Sequence, residues 1–265
     1  MRAMLLILLL GCADDPPPTT GSVTEQPFRS DVVDDDYLLR IRLPPEGDGP
    51  FPLILQLDPT FVGLEQFALS AGFVSQHAAD GDWPEAIVVG VDYPDPFTRE
   101  RDYTPEEPLD PAFGNGGADA FYRVLRDEVL PHLQATLPVD PDRQILVGHS
   151  NGGVFGWYST FRHDEGSPPL FAGVIAADAG IDEPLFTFER WHAERATDLP
   201  MYVYATHALY NGATQKVTFD ALIERLQGRA YPSLQLEEAW LPTDHGGAVA
   251  PSIEGGLDWL FGVMP

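Results

Sequence analysis

Ser150 stands between two glycines in Gly148-His149-Ser150-Asn151-Gly152, after the apolar run 144–148 and before a stretch with glycines at 152, 153 and 156. A serine at a sharp strand-to-helix turn has an exposed hydroxyl, and flanking glycines let strand and helix approach without clashing side chains. The helix behind it offers unpaired N–H groups to a developing oxyanion. The chemistry this points to is nucleophilic attack on a carbonyl. A serine hydroxyl needs a base for that. Of the seven histidines, His245 follows the final strand pattern and precedes the final helix pattern, in "PTDHGGAVAP". That places it at the sheet edge where Ser150 would sit. His149 is read as a packing residue facing away from the chemistry. His77, His132, His163 and His192 are read as ordinary core or surface histidines.

A third group should steady the base, and here several readings stay open. The stretch after the strand 201–206, "HALYNGATQK", has no carboxylate. Asp220 lies on the polar face of its helix beside Lys216. Asp178 or Asp182 could reach His245 from the side, Asp244 would have to fold back, and a Ser–His dyad without an acid is also allowed. Two N–H donors are needed for the oxyanion. Asn151, after the serine, is one candidate. In "LILQLDPTF" Pro59 has no N–H, so Thr60 is the other.

The elements that must position these residues follow from periodicity. Apolar runs at 37–43, 52–58, 86–93, 144–148, 171–178, 201–206 and 234–242 read as strands. Segments at 118–133, 219–228 and 255–262 read as helices, the second closed by Gly228. In the first of these, Phe121, Leu125, Val129 and Leu133 share a face, and Pro131 bends its end. Strands alternating with helices predict one α/β domain with an open, mostly parallel sheet covered on both faces. The length of 265 residues and the 44% hydrophobic content suit a single core of this kind.

With 41 acidic and 15 basic residues, a net charge of −26 and Lys216 the only lysine, the surface repels nucleic acid and anionic lipid. Cys12 is the only cysteine, so no internal disulfide forms. It ends "MRAMLLILLLGC", in which Arg2 precedes an apolar run too short to span a bilayer. Residues 1–11 are therefore read as an export signal and 12–33 as a proline-rich flexible tether, with the folded domain at 34–265. The Leu9-Leu10-Gly11-Cys12 ending resembles the bacterial lipobox. That resemblance implies lipidation of Cys12 and an exported lipoprotein at the outer membrane, periplasm or cell surface, with Ala13 pointing to the outer membrane. No metal motif or cofactor motif is visible, and "DVVDDD" (31–36) lacks calcium-loop spacing.

The ordered set of motifs resembles the esterase family of α/β-hydrolases that includes esterase D and the enterochelin and siderophore esterases. "RERDYTP" (99–105), the block 116–159 ending in "GHSNGGVFGWYS", "LQLDPTF" at the oxyanion loop and "DHGG" at the histidine loop carry the likeness over roughly 34–263. It implies an α/β-hydrolase fold with Ser150 as nucleophile, His245 as base, and Thr60 and Asn151 as oxyanion donors. Three departures stand out: Pro59 replaces the usual glycine, the carboxylate often found near Leu209 is missing, and "AADAGID" (176–182) alters one pocket wall. Arg99 and Arg101 could line the pocket, or pair with Glu100, Asp102 or Glu106. The expected activity is hydrolysis of a small-molecule carboxylic ester, a siderophore or sugar-linked ester among the candidates. Acyl transfer, or a weakened binding lipoprotein on the same scaffold, are the alternatives. The membrane is met only through the anchor, and oligomeric state is left open.

Overall fold

In the computed structural model, residues 16–60, 63–93, 95–105, 116–162 and 168–265 are described. Eight strands form one sheet: β1 (Ser22–Ser30), β2 (Asp35–Leu43), β3 (Phe51–Leu57), β4 (Ile87–Asp92), β5 (Val139–His149), β6 (Gly173–Ala177), β7 (Tyr202–Ala208) and β8 (Gln235–Leu241). Their order is β1-β2-β4-β3-β5-β6-β7-β8. β1 and β2 run antiparallel to their neighbours, and the rest of the sheet is parallel. The expected mostly parallel α/β sheet is present.

Alternation along each strand sorts side chains into two layers. Leu53, Leu55, Leu57, Val89, Leu146, Val174 and Val203 pack on one side. Above them lie α3 (Ala118–Arg123), α4 (Leu130–Thr136), α5 (Asn151–Phe161), α6 (Glu183–Arg195) and α7 (Ala213–Arg229). Ile54, Val88, Ile145, Val147, Ile175 and Tyr204 face the other side, against α1 (Gln66–Asp80) and α8 (Val249–Val263). The remaining helix, α2 (Pro96–Tyr103), leads from β4 toward the sheet's carboxyl edge. With both faces covered, the central strands read as continuous apolar runs.

Three expectations need correction. The tether does not extend to residue 33, because Ser22–Ser30 forms β1 and pairs along its length with β2. Further upstream, the Thr20 carbonyl accepts from Arg42 Nε at 2.9 Å. β1 is an edge strand, mostly exposed and without apolar alternation, and it tolerates Pro27 because its outer side needs no partner. Its composition therefore reads as linker. Secondly, α7 starts at Ala213 and runs past Gly228; Ala230, at φ 52°, makes the left-handed turn that ends it. Thirdly, the long helix expected at 118–133 widens into a π-helical segment, Val124–Val129, before α4. Pro131 cannot donate to a carbonyl one turn back, and a widened turn just before it accommodates that lost bond. The export signal and Cys12 lie outside the described residues.

Candidate active site

β5 runs into the serine without a loop. Ser150 has φ 59° and ψ −122°, a conformation rare for a side-chain-bearing residue, and α5 begins at the next position. The turn is fixed from both sides: Ser150 N donates to the Ala177 carbonyl at 3.0 Å, and the Ser150 carbonyl accepts from Val154 N at 2.9 Å. The glycine at 148 is obligatory here, because a Cβ would lie 2.1 Å from the Gly152 carbonyl oxygen. Ser150 itself is partly exposed.

Of the carboxylates left open by the sequence, Asp178 is the one that meets His245. Asp178, directly after β6, is fully buried and also left-handed, at φ 40°. Its Oδ2 lies 2.6 Å from His245 Nδ1. The same oxygen accepts from Asn211 Nδ2 at 2.8 Å, and Oδ1 accepts from Ala208 N at 2.8 Å. A carboxylate with this many donors stays an acceptor, so the network assigns the His245 proton to Nδ1 and leaves Nε2 with its lone pair. Asn211 Nδ2 also lies 3.3 Å from His245 Nδ1, but two donors cannot bond each other and Asp178 is its acceptor. The other candidates are occupied elsewhere. Asp182 caps α6 through Leu185 N, Asp220 pairs with Lys216 at 2.7 Å, and Asp244 accepts from Gly247 N in its own turn. The carboxylate beside His245 thus follows β6 and does not come from near Leu209.

His149 does not face away from the chemistry. Its ring centroid is 4.3 Å from that of His245, and its Nε2 donates to the His245 carbonyl at 2.8 Å. Burial, and then the neighbouring His245, push its pKa down to about 4, so the ring is neutral near pH 7. It braces the backbone and ring of the histidine loop. His149, Asp178 and His245 bring ligand-type atoms within 4.8 Å of one another, the one such group among the described residues. Within the group, His245 Nδ1 bonds Asp178 Oδ2 and His149 Nε2 bonds the His245 carbonyl.

The two expected oxyanion donors lie at adjoining strand ends. A Cβ on Gly152 would be 3.2 Å from Asp58 Oδ2 and 3.4 Å from Leu57 Cβ, so the end of β3 abuts the start of α5. Asn151 N, in the first turn of α5, has no backbone acceptor among the described residues. Thr60 follows Pro59, whose ring packs on Gly90, and its Oγ1 donates to Asp92 at 3.0 Å.

Arg99 holds this loop through a partner that the sequence did not suggest. Its Nε and Nη2 grip Asp58 Oδ1 and Oδ2 at 2.7 and 2.8 Å, with both side chains buried. Tyr93 donates to Asp58 Oδ1 at 3.0 Å, and Tyr103 receives Asp58 N at 3.3 Å. Burial raises the Asp58 pKa, and the Arg99 fork opposes that rise. Arg99 Nη1 continues to Glu100, whose other oxygen accepts from Asn151 Nδ2 at 2.7 Å. Arg101 pairs with Asp102, as anticipated, and also with Asp35. A cleft of about 280 Å³ opens beside Asn151, with Thr104, Ile181, Asp182, Thr214 and Gln215 among its walls.

A left-handed serine between β5 and α5, a histidine on the last strand–helix loop and a carboxylate from the neighbouring strand together define an α/β-hydrolase-type site. The family model described as "Putative esterase" matches residues 30–197, and the chain belongs to that family. A siderophore triacetylfusarinine C esterase from Aspergillus fumigatus is 30% identical over 183 residues, or 63% of this chain. The match spans only 59% of that relative's own length. Among solved structures, the BES protein from Bacillus cereus superposes with a TM-score of 0.78 at 21% identity, covering 94% of this chain and 98% of that one. Siderophore hydrolase EstB from Aspergillus nidulans gives 0.77 at 19% identity, covering 95% and 99%. These structural likenesses show a shared fold.

Proposed function

We propose that this protein is a serine hydrolase of carboxylic esters, with siderophore esters as its substrates. The observation that carries the reading is the 2.6 Å contact between buried Asp178 and His245 Nδ1, set beside the strained Ser150 turn. Ser150 Oγ attacks the ester carbonyl as His245 Nε2 takes its proton, and the tetrahedral oxyanion rests on the N–H groups of Asn151 and Thr60. The C–O bond then breaks, His245 returns the proton to the alcohol, and an acyl-enzyme remains. Water, deprotonated by the same nitrogen, releases the acid and restores the serine. The family assignment and the relative named as a siderophore triacetylfusarinine C esterase support the substrate class. The reading that the scaffold only binds was motivated by a missing acid, and Asp178 removes that motive.

Replacing Ser150 by Ala should lower ester hydrolysis by at least about a thousandfold and abolish labelling by a fluorophosphonate. Retained turnover in Ser150→Ala would overturn the assignment. The export signal and the lipid on Cys12 belong to the same proposal, and incorporation of labelled palmitate that Cys12→Ser abolishes is their test.

A further inference from the structure

Among the described residues, the cations that could meet a substrate near Ser150 are already committed to carboxylates. Arg99 is held by Asp58 through two hydrogen bonds and reaches Glu100 through a third, at 3.1 Å. Arg101 bridges Asp102 and Asp35. Lys216 lies 2.7 Å from Asp220 and 4.3 Å over the Trp240 ring. Two carboxylates, although hydrogen-bonded, keep exposed surface here. Asp182 caps α6 from an exposed position on the cleft wall. Glu100 is part-exposed and bonded to Asn151, the residue that follows the serine. The local positive potential is that of the first N–H groups of α5, which serve a single oxyanion.

An anionic group on a substrate would lose water beside Asp182 and Glu100 without gaining a partner, and it would approach a surface of net charge −26. Resting on the esterase reading above, we propose that the cleft selects esters whose acyl and alcohol parts are neutral or cationic, with Asp182 and Glu100 as specificity-determining residues. For an iron-carrying ester, the rule favours a neutral tris-hydroxamate iron(III) complex over a multiply anionic tris-catecholate one.

The test compares two nitrophenyl esters that differ by one methyl group, those of monomethyl adipate and of adipate itself. They are assayed with the full-length protein, Asp182→Asn and Glu100→Gln at low and high salt. In the native protein, kcat/KM should favour the neutral ester by roughly tenfold at low salt. The gap should narrow at about 1 M salt, where screening acts over about 3 Å. Asn is as good a helix cap as Asp, so Asp182→Asn should keep α6 intact. It should shift the ratio toward the anionic ester by roughly threefold, with Glu100→Gln moving it the same way. Equal or better turnover of the anionic ester, a ratio that neither variant moves, or a tris-catecholate complex cleaved as well as a tris-hydroxamate one would each overturn the selection rule while leaving the esterase intact. If neither ester is cleaved and Ser150 takes no fluorophosphonate label, the esterase reading itself fails.

Discussion

Asp178 is held by an imidazole, a side-chain amide and a backbone N–H, and each donor has a separable role. Asp178→Asn would present an amide to His245 Nδ1 and favour the wrong tautomer. A fall in kcat of about a thousandfold or more, with an unchanged circular dichroism spectrum, is the expected outcome. Asn211→Ala removes a supporting donor and leaves the carboxylate, so a loss nearer tenfold, in kcat rather than KM, is expected from steady-state kinetics. His149 provides a pH signature. Its folded pKa of about 4 lies below the ordinary 6.5, so the unfolded chain binds more protons between those values. Its contribution is fully present above about 6.5 and is lost as pH falls toward 4, by at most about 3 kcal/mol. Urea unfolding of His149→Gln should show a shallower decline over that range. Ser150 and His245 were legible because short motifs name them. Asp178 was legible only as one of several carboxylates, since which strand end reaches the histidine depends on sheet order. Asn211 carried no signal at all.

Between residue and molecule, the strands that build the core announced themselves through unbroken apolar runs such as "AIVVGVDY", and β1 did not. Its buried consequences are real even so. The Ser30 hydroxyl donates to Glu128, and buried Arg42 is met by Thr20 just upstream. A chain beginning at Asp34 should therefore expose the β2 edge and aggregate, while one beginning at Pro16 should fold; size-exclusion chromatography of the two distinguishes these outcomes. The α2 helix was likewise visible only as the motif "RERDYTP", because its role is to bring Arg99 to Asp58 rather than to bury an apolar stripe. Arg99→Met would strand the buried Asp58 carboxylate at the start of the loop that carries Thr60. A loss of about 3–5 kcal/mol in denaturant unfolding is expected, together with reduced kcat.

At the scale of the whole molecule, a charge of −26 on 265 residues opposes compaction. Raising the salt concentration should increase the thermal midpoint, by about 2–4 °C for each kcal/mol of relieved repulsion, as read by calorimetry. The division of labour along the sheet edge has an evolutionary reading. Thr214 and Gln215, in the cleft wall, belong to the first turn of α7, whereas Asp178 follows β6. A lineage can then rewrite the start of α7, and drift toward a new ester, without touching the carboxylate itself. In a relative whose acid sits near the position of Leu209, the same drift would put specificity and turnover at stake together. Here Ile181 and Asp182 share the segment of the carboxylate, but Thr214 and Gln215 are inherited apart from it, which leaves that wall of the cleft open to change under selection.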